Sequence, residues 1–448
     1  MHRLQKFGLI GLVLLTANCG SRQEVSQEAI DADMADTALP VDDTSRFIGA
    51  LEGMKGTRPV AVTGDWRQTL DDFWTSEGNE SLTSYQYAAE AYDSVVIAAL
   101  AAESAQTDGN QLADQIVGLS RDGTKCLNFE DCRRILRAGG DVDYDGKSGK
   151  FTMNGRGEVV ETQFSIVEFG SNNRIDNSRT KIEELDGSWE FLPFNEPRVE
   201  RNGDGVLRIG TVLPLTGQLA PYGPPQFAGV EFAISEINRV GGVLGRPVEY
   251  VPGDSGDSSS DAAEVAVAEA ISAGVDVLIG PSSTTVTIDI IDAVLAAGIV
   301  QISPANTNMQ LVDFPDGGLY FRAAPADDQQ TFLLSKLIAR ENGKRVFIAA
   351  VDDLYGNSIA DRLMKQLVVE GIDDSQVELF NPASGNFVTL VAKMVASESD
   401  SIVVVGFDES ARILHEMVRA NIGPKVKKVF GVDANMGDGL GENFDTSG

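Results

Sequence analysis

The second half of the chain alternates regularly between apolar runs and amphipathic segments. From residue 206 onward, short and nearly all-apolar runs are followed by segments whose apolar residues recur every three or four positions. Continuous apolar runs are typical of parallel strands buried on both faces, and the three-to-four spacing is typical of helices. The predicted strands are 207–213, 247–252, 275–280, 299–303, 345–351, 376–380, 402–406 and 428–432. The predicted helices are 225–240, 261–273, 285–297, 357–371, 387–397 and 409–420.

The first half is also folded, but it contains fewer predicted strands. Helical spacing covers 84–102, 110–119 and 129–138, and residues 159–169 alternate like a strand. A charged, glycine-rich linker over 198–205 leads into the regular half. In that half the pattern restarts after an Arg-Ala-Ala-Pro segment at 322. The sequence therefore predicts an α/β protein with two doubly wound parallel-sheet lobes joined by a hinge.

The chain begins with the pattern of an export signal. Arg3 and Lys6 precede the apolar run 7–15, which is too short to span a bilayer, and Cys19 follows small residues. This arrangement favours a lipoprotein signal with Cys19 as the lipidated residue, and a plain signal peptide is the alternative. The acidic stretch 20–45 is predicted to be a flexible tether. We therefore expect an exported protein, in the periplasm or at the cell surface, that is attached to the membrane only through lipid.

Charge and cysteine content narrow the possible partners. The formal net charge is −31, from 36 basic and 67 acidic residues. A surface this acidic repels nucleic acid and anionic lipid, so neither is an expected partner. If Cys19 carries lipid, Cys126 and Cys132 remain as an even pair. An oxidising compartment permits a disulfide between them, with two free buried thiols as the alternative.

Signatures of enzymes and cofactor sites are missing from the sequence. His415 is the one histidine beyond the signal, and its amphipathic helix predicts an exposed surface position. That leaves little basis for a Ser-His-Asp triad or a histidine-rich metal site, and no glycine-rich phosphate loop follows a strand. The segment 141–146 begins like a calcium loop, but Thr152 stands where a glutamate is needed, which favours a solvated turn. We expect no catalytic residues, no metal and no cofactor.

Polar loops follow several predicted strands at what should be one edge of each sheet. Residues 281–285 place hydroxyls at a helix start, where free backbone N–H groups attract a carboxylate, although helix capping alone would also explain them. The loop 303–308 follows the next strand. In the second lobe, 352–356, 407–408 and 433–435 bring acidic and aromatic groups that suit a cation with an apolar tail. The pattern predicts a ligand cleft beyond the strand ends.

These blocks resemble a known family. Residues 207–448 resemble the first two-thirds of a type I periplasmic binding protein of the leucine/isoleucine/valine-binding family, and residues 53–169 resemble its last third. The matching pieces of the first block are IGTVLPLTGQLAPYG, EINRVGGVLGRPVE, DVLIGPSSTTV, ISPANTN, FRAAPADDQQ, VDDLYGNSIA and VFGVDAN. Those of the second are GMKGTRP, SYQYAAEAYDSV and GGDVDYDGKSGKF.

The resemblance implies a hinged clamshell that delivers an amino acid, of branched-chain or other apolar type, to the membrane permease of an ABC importer. It assigns the ligand's α-carboxylate and part of its ammonium to Ser282, Ser283, Thr284, Ala305 and Thr307. It assigns the ammonium to Asp433, the side-chain pocket to Tyr85, Tyr222, Tyr355 and Phe407, and a place near the lobe crossing to Asp327.

The order of the two blocks implies a circularly permuted module that folds as a monomer, with a rearranged gene whose halves pair between molecules as the alternative. The segments are assigned as lipoprotein signal 1–19, acidic tether 20–45, second lobe 46–75 and 326–448, first lobe 76–155 and 206–325, return to the second lobe 156–197, and linker 198–205.

Three competing functions are considered. They are a ligand-sensing receptor module for an amide or short aliphatic acid, a rearranged lipoprotein without transport function, and a carboxylate-only hydrolase, for which no suitable acidic pair is identifiable.

Overall fold

The computed structural model describes residues 44–59, 65–186 and 197–447. The export signal with Cys19, and the tether up to residue 43, lie outside the described residues. The chain divides into two compact units, Met1–Ser45 and Arg46–Gly448, and the second contains both main sheets. Within the described ranges, no helix combines the length and apolar character that crossing a bilayer requires.

Helices and strands alternate through most of the second unit. The α-helices are α1 (Asp65–Ser76), α2 (Ala88–Ala105), α3 (Ala113–Ile116), α4 (Phe129–Arg137), α5 (Gly223–Arg239), α6 (Ala262–Ala273), α7 (Thr284–Ala296), α8 (Asp327–Arg340), α9 (Leu354–Val369), α10 (Val388–Ala396), α11 (Ser410–Arg419) and α12 (Asp438–Thr446). The strands are β1 (Lys55–Pro59), β2 (Thr124–Cys126), β3 (Val142–Tyr144), β4 (Glu161–Glu168), β5 (Lys181–Asp186), β6 (Arg208–Thr211), β7 (Glu249–Val251), β8 (Val277–Ile279), β9 (Val300–Ser303), β10 (Tyr320–Arg322), β11 (Arg345–Val351), β12 (Asp374–Phe380), β13 (Ser401–Val405) and β14 (Lys428–Gly431). Short 3-10 helices lie at Thr44–Phe47, Asn110–Leu112, Ala220–Tyr222 and Met309–Leu311.

The larger sheet joins the beginning of the folded unit to its end. Its strand order is β12-β11-β13-β14-β1-β4-β5, parallel from β12 to β1 and antiparallel at β4 and β5. All five residues of β13 are buried, as expected for a parallel strand covered on both faces. In the pairing of β1 with β14, Lys55 lies beside Phe430. The N-terminal strand therefore completes a sheet whose parallel part is otherwise built from the last quarter of the chain.

The smaller sheet is entirely parallel, with the order β10-β9-β8-β6-β7. The alanine-rich helix α2, buried from Ala88 to Glu103, packs closely against α5. Gly229 on α5 makes this approach possible, because a Cβ atom there would lie 2.2 Å from the carbonyl oxygen of Ala88. A helix from the first half of the chain thus covers a sheet from the second half.

Each sheet is the centre of one lobe, and each core combines both halves of the chain. We call the part on the smaller sheet the first lobe and the part on the larger sheet the second lobe. The first-lobe core includes Tyr92 and Phe151 together with Ile279. The second-lobe core includes Phe169 together with Val404. Neither lobe therefore has a complete core without both chain halves.

The described elements change lobe in four places along the chain. The changes fall between β1 and α1, at Val160 before β4, between β5 and residue 197, and at 323–326 between β10 and α8. After the third change, the linker is fixed to the first lobe. The carboxylate of Asp108 accepts the backbone N–H groups of residues 204–206, and Asn110 exchanges hydrogen bonds with Arg201.

Helix α1 lies on the first lobe. Leu70 is fully buried and packs with Ala88 and Ala228, and the ring of Trp66 meets that of Tyr92 edge-on at 5.8 Å. The sequence predicts that all of residues 46–75 belong to the second lobe. The structure instead places β1 in the second lobe and α1 in the first, because the apolar face of α1 packs against α5.

His415 is buried, and the predicted exposed position is wrong. Its side chain is 3% exposed, and its ring lies 4.4 Å from that of Phe47 and 4.3 Å from that of Phe444. Burial lowers the pKa of His415, and Nε2 is hydrogen-bonded to the carbonyl group of Phe444. The amphipathic pattern of α11 did not reveal that helix α12 and the start of the unit cover this face.

The segment that begins like a calcium loop is held by protein groups. The ammonium of Lys125 lies 3.1 Å from a carboxylate oxygen of Asp143 and 3.0 Å from one of Asp145. The buried carboxylate of Asp93 accepts the backbone N–H groups of Lys147 and Ser148. No cluster of potential metal ligands occurs in the described part of the chain. Nearby, Cys126 and Cys132 form a disulfide with their Cα atoms 5.3 Å apart.

Candidate functional site

A cavity lies between the lobes, where the carboxyl ends of the central strands of both sheets meet. It encloses about 500 Å³ of empty space, with its open mouth counted in that figure. The lining residues come from loops after β8, β9, β11, β13 and β14, and from the starts of α2 and α5. They are Tyr87, Leu219, Tyr222, Gln226, Ser282, Ser283, Thr284, Thr285, Ala305, Thr307, Asp353, Tyr355, Phe407, Asp433 and Ala434.

One side of the cavity is the N-terminus of α7. Ser283 caps this helix by accepting a hydrogen bond from the backbone N–H of Val286, and Thr284 is buried at the first helical position. The first N–H groups of a helix have no partner within it, and with the helix dipole they favour an anion. This wall of the cavity is therefore suited to a carboxylate.

Buried side chains behind α7 hold this wall in place. The amide oxygen of Asn306 accepts hydrogen bonds from the hydroxyls of Thr287 and Tyr320, and its amide nitrogen donates to the carbonyl of Ser282. Ser282 donates its own hydroxyl to Gln226, at 2.7 Å. The loops after β8 and β9 are thus tied into one rigid unit.

The opposite side of the cavity is centred on Asp433, which is 2% exposed. One carboxylate oxygen accepts the hydroxyl of Tyr87 at 2.5 Å, and the other accepts that of Tyr355 at 2.7 Å. Burial, with the nearby charge of Asp433, raises the pKa of both tyrosines well above the ordinary value, so they remain neutral donors. Each carboxylate oxygen retains acceptor capacity, so this wall suits a cation.

Aromatic side chains close the cavity across the lobe interface. Tyr222 of the first lobe donates its hydroxyl to the carbonyl of Ala434 in the second lobe, and Gln86 donates to the carbonyl of Asp433. The rings of Tyr355 and Phe407 are stacked, with centroids 5.4 Å apart. Together with Tyr87, three first-lobe side chains therefore donate hydrogen bonds to residues 433–434 of the second lobe. The two lobes of the clamshell are thus in a closed arrangement.

A lobe crossing adjoins Thr307 of the cavity lining. Asp327 begins α8, its backbone N–H donates to the carbonyl of Thr307, and its carboxylate accepts the hydroxyl of Ser358. Burial raises the pKa of Asp327 to about 7, although hydroxyl groups of Ser358 and Thr307 oppose the shift. Asp327 is thus placed where the chain passes from the first lobe to the second.

A buried ion pair supports the same region. Arg322 at the end of β10 is 0% exposed, and its Nε donates to a carboxylate oxygen of Glu158 at 2.6 Å. Its Nη1 also donates to the carbonyl of Asn308. Burial raises the pKa of Glu158, and the charge of Arg322 opposes this shift. Because residues 158 and 322 each stand just before a lobe crossing, the pair fixes the two crossing segments relative to each other.

The cavity brings together all but one of the ligand-binding residues that the sequence predicted. The nine on its lining are Tyr222, Ser282, Ser283, Thr284, Ala305, Thr307, Tyr355, Phe407 and Asp433. Tyr85 is absent from the lining. Its ring lies 4.6 Å from the guanidinium carbon of Arg67 and packs near α1.

Sequence reasoning missed Tyr87, which stands where Tyr85 was expected. The predicted helix began at residue 84 and aligned Tyr85 with its buried stripe, whereas α2 begins at Ala88. Tyr87 is the residue before the helix, with a left-handed φ of 59°, and this conformation turns the chain into α2. The sequence signal for this position was the pair of tyrosines in SYQY at the start of a helix. The hydrophobic pattern alone could not decide which of the two faces the cavity.

Comparison with known proteins gives matches on both halves of the chain. A family model described as "Periplasmic binding protein" matches residues 206–444. A second, described as "Receptor family ligand binding region", matches residues 27–172. The first match alone spans more than half of the 448 residues.

Individual relatives match mainly one part of the chain. Leu/Ile/Val-binding protein homolog 1 of Brucella melitensis is 32% identical over 229 residues, which are 50% of this chain and 60% of that protein. Leu/Ile/Val-binding protein BraC3 of Rhizobium johnstonii is 27% identical over 219 residues, 47% of this chain and 58% of that protein. The matched part thus spans about three-fifths of these relatives.

A solved structure of similar kind is the branched-chain amino acid transporter substrate binding protein LivJ from Streptococcus pneumoniae in complex with isoleucine. It aligns with 51% of this chain and 64% of its own, at 26% identity and a TM-score of 0.45. From the family-model match, together with the two lobes of mixed α/β structure, the chain belongs to the type I periplasmic binding proteins of the Leu/Ile/Val-binding family, which are solute-binding proteins and not enzymes.

Proposed function

We propose that this protein is an extracytoplasmic solute-binding protein that captures an amino acid in its cleft for the membrane permease of an ABC importer. The observation that carries the proposal is the pairing of a helix N-terminus and a buried carboxylate on opposite walls of one cavity between the lobes. A zwitterion presents a carboxylate and an ammonium a short distance apart, and such a cavity complements both charges.

In this proposal the α-carboxylate binds at the start of α7, against Ser283 and Thr284, with Ala305 and Thr307 beside it. The α-ammonium binds between Thr307 and Asp433. Charge-assisted hydrogen bonds contribute about 1.5–3 kcal/mol each, so a few suffice for the roughly 8 kcal/mol of micromolar binding after ordering costs. Tyr222, Phe407 and the neighbouring aromatic side chains then contact the ligand's side chain.

The names of the curated relatives support an amino acid as the ligand, since both matched proteins are called Leu/Ile/Val-binding. The extracytoplasmic location follows from the family, and the lipid anchor at Cys19 remains a proposal from the signal sequence. Delivery to an ABC permease is likewise proposed from the family.

Calorimetry tests the proposed function directly. We expect the purified protein to bind an L-amino acid with 1:1 stoichiometry and a Kd of about 1 µM or lower, because both charges of the zwitterion are matched. Leucine, valine, glutamate and lysine are titrated after unfolding and refolding to remove any retained ligand. Binding of short amides or aliphatic acids with no response to any amino acid would replace this function by the sensor alternative.

We also propose that the chain is one circularly permuted module that acts as a monomer. The family models match 206–444 and 27–172, and β1 pairs with β14 in the larger sheet. The ends of the unit lie together, since the rings of Phe47 and Phe444 are 6.2 Å apart. Joining these two ends by a peptide connection and cutting the chain just before the linker would restore an unpermuted order of segments.

A rearranged chain tests this proposal. Residues 197–447, a short glycine-serine linker and then residues 46–186 should give a monomer with the amino-acid affinity of the natural order within about twofold, because the contacts of residues 201–206 with Asp108 and Asn110 are retained along with both cores. Light scattering and calorimetry measure the two properties.

As a control, the new ends are placed inside α2, between Val95 and Val96, where both residues are fully buried, and this chain should not fold. A natural-order protein that runs as an interlocked dimer, or a rearranged chain that fails to bind, would contradict a single permuted module.

A further inference from the structure

A second cavity adjoins the ligand cleft. It encloses about 570 Å³ of empty space, its opening included, and it lies between the loop at Thr83–Gln86 and helix α12. Tyr222 and Phe407 line both this cavity and the ligand cleft. The two spaces are therefore neighbours that share an aromatic wall.

The lining of the second cavity carries acidic and amide groups beside its apolar surface. It includes the carboxylates of Asp408 and Glu442 together with the amides of Gln86, Asn435 and Asn443. Neither this lining nor that of the ligand cleft contains a lysine, arginine or histidine. With Asp353 and Asp433 in the cleft, the two linings carry four carboxylates and no basic side chain.

A zwitterion with an apolar side chain would use only part of this charge. Its ammonium pairs with Asp433, and Asp353 caps helix α9 by accepting the backbone N–H of Gly356. Asp408 and Glu442 have no such role toward an apolar side chain. They line the second cavity and not the ligand cleft, and the two spaces share the aromatic wall of Tyr222 and Phe407.

Asp408 is the better placed of the two carboxylates. Burial raises its pKa, and no basic side chain opposes that shift. Its carboxylate accepts a hydrogen bond of 3.3 Å from the amide of Asn443, which is a neutral donor. A partly buried carboxylate without a nearby cation gains more from a cationic ligand group than a solvated one does.

We propose that the second cavity receives the distal end of the ligand's side chain and that this end is a cation, so the preferred ligand is a basic amino acid such as lysine or arginine. The apolar stem of such a side chain runs along the shared wall of Tyr222 and Phe407, and its terminal cation pairs with Asp408, with Glu442 at the rim. This inference rests on the proposed amino-acid function and replaces the expectation of a purely apolar side chain.

The test compares ligands that differ only at the distal end. L-lysine and L-norleucine share the same stem, and only lysine carries the terminal ammonium. Calorimetry on the full folded protein should give a Kd for lysine at least about tenfold below that for norleucine, as expected for a hydrogen bond to a charged group. The Asp408→Asn variant should raise the Kd for lysine about tenfold and change that for norleucine by less than twofold.

Two controls separate the outcomes. Asp373→Asn removes an equal charge from an exposed position that lines neither cavity, and it should change neither affinity. Glu442→Gln should weaken lysine less than Asp408→Asn, because Glu442 is exposed. Norleucine or leucine binding as tightly as lysine, or an unchanged lysine Kd in Asp408→Asn, would overturn the inference and leave the amino-acid function intact. If no amino acid binds at all, the proposed function fails, and this inference fails with it.

Discussion

Replacing Asp433 by asparagine is expected to lower the affinity for every amino-acid ligand by at least about 30-fold. The variant keeps the size of the side chain and leaves an amide oxygen for one tyrosine hydroxyl, but it removes the charge opposite the ligand's ammonium. Truncating one partner of a buried charge pair commonly costs about 2–5 kcal/mol of binding free energy. Calorimetric titration of the wild type and the variant with leucine, valine and lysine measures the change.

Two further variants are titrated beside the wild type and Asp433→Asn. Tyr355→Phe keeps the ring and removes one of the two hydroxyl donors to Asp433, so we expect a smaller loss that separates the charge from its hydrogen-bond network. Asp373→Asn, which removes an exposed carboxylate, should bind like the wild type. Equal affinities of wild type and Asp433→Asn would eliminate Asp433 as the ammonium partner.

Replacing Glu158 by glutamine is expected to destabilise the protein by about 3–5 kcal/mol, since it leaves the guanidinium of Arg322 buried without a counter-charge. The free energy of unfolding is measured by urea denaturation, with tryptophan fluorescence and circular dichroism as separate probes.

A double variant distinguishes the charge effect from a packing effect. Glu158→Gln combined with Arg322→Met removes both charges and fills the space of the arginine stem. We expect it to be more stable than Glu158→Gln alone, because no unpaired charge remains buried. If the single variant loses less than about 1 kcal/mol, the pair does not hold the crossing segments as the geometry indicates, since surface pairs contribute that little.

The elements that were predicted well are those whose sequence pattern matches their burial. β11 and β13 are continuous apolar runs, and helix α5 has a clear apolar stripe, so their positions follow from periodicity. β1 and β5 were missed, because KGTRP and KIEELD are polar. β1 is held by pairing with β14 and β4, and β5 by pairing with β4. Those partners are distant in sequence, and a local pattern contains no information about them.

The candidate site was likewise predicted where it depends on local pattern and missed where it depends on distant contacts. Polar residues after strand ends identified Thr284, Asp433 and most of the cavity lining, because parallel strands bring their carboxyl ends to one edge. The choice of Tyr87 over Tyr85 depended on where α2 begins, which is set by packing against α5. The burial of His415 depended on Phe47 and Phe444, which come from the two ends of the unit.

By itself the sequence determined the α/β class, the two lobes and the loops that face the cleft, because each of these depends on residues within one strand-helix repeat. Only the tertiary structure decided that β1 completes the larger sheet, where α1 packs, and which tyrosine meets Asp433. These depend on contacts between residues far apart in sequence, such as Lys55 with Phe430 and Tyr87 with Asp433. Such contacts depend on how side chains from distant parts of the chain fit against each other, and that fit exists only in the folded chain.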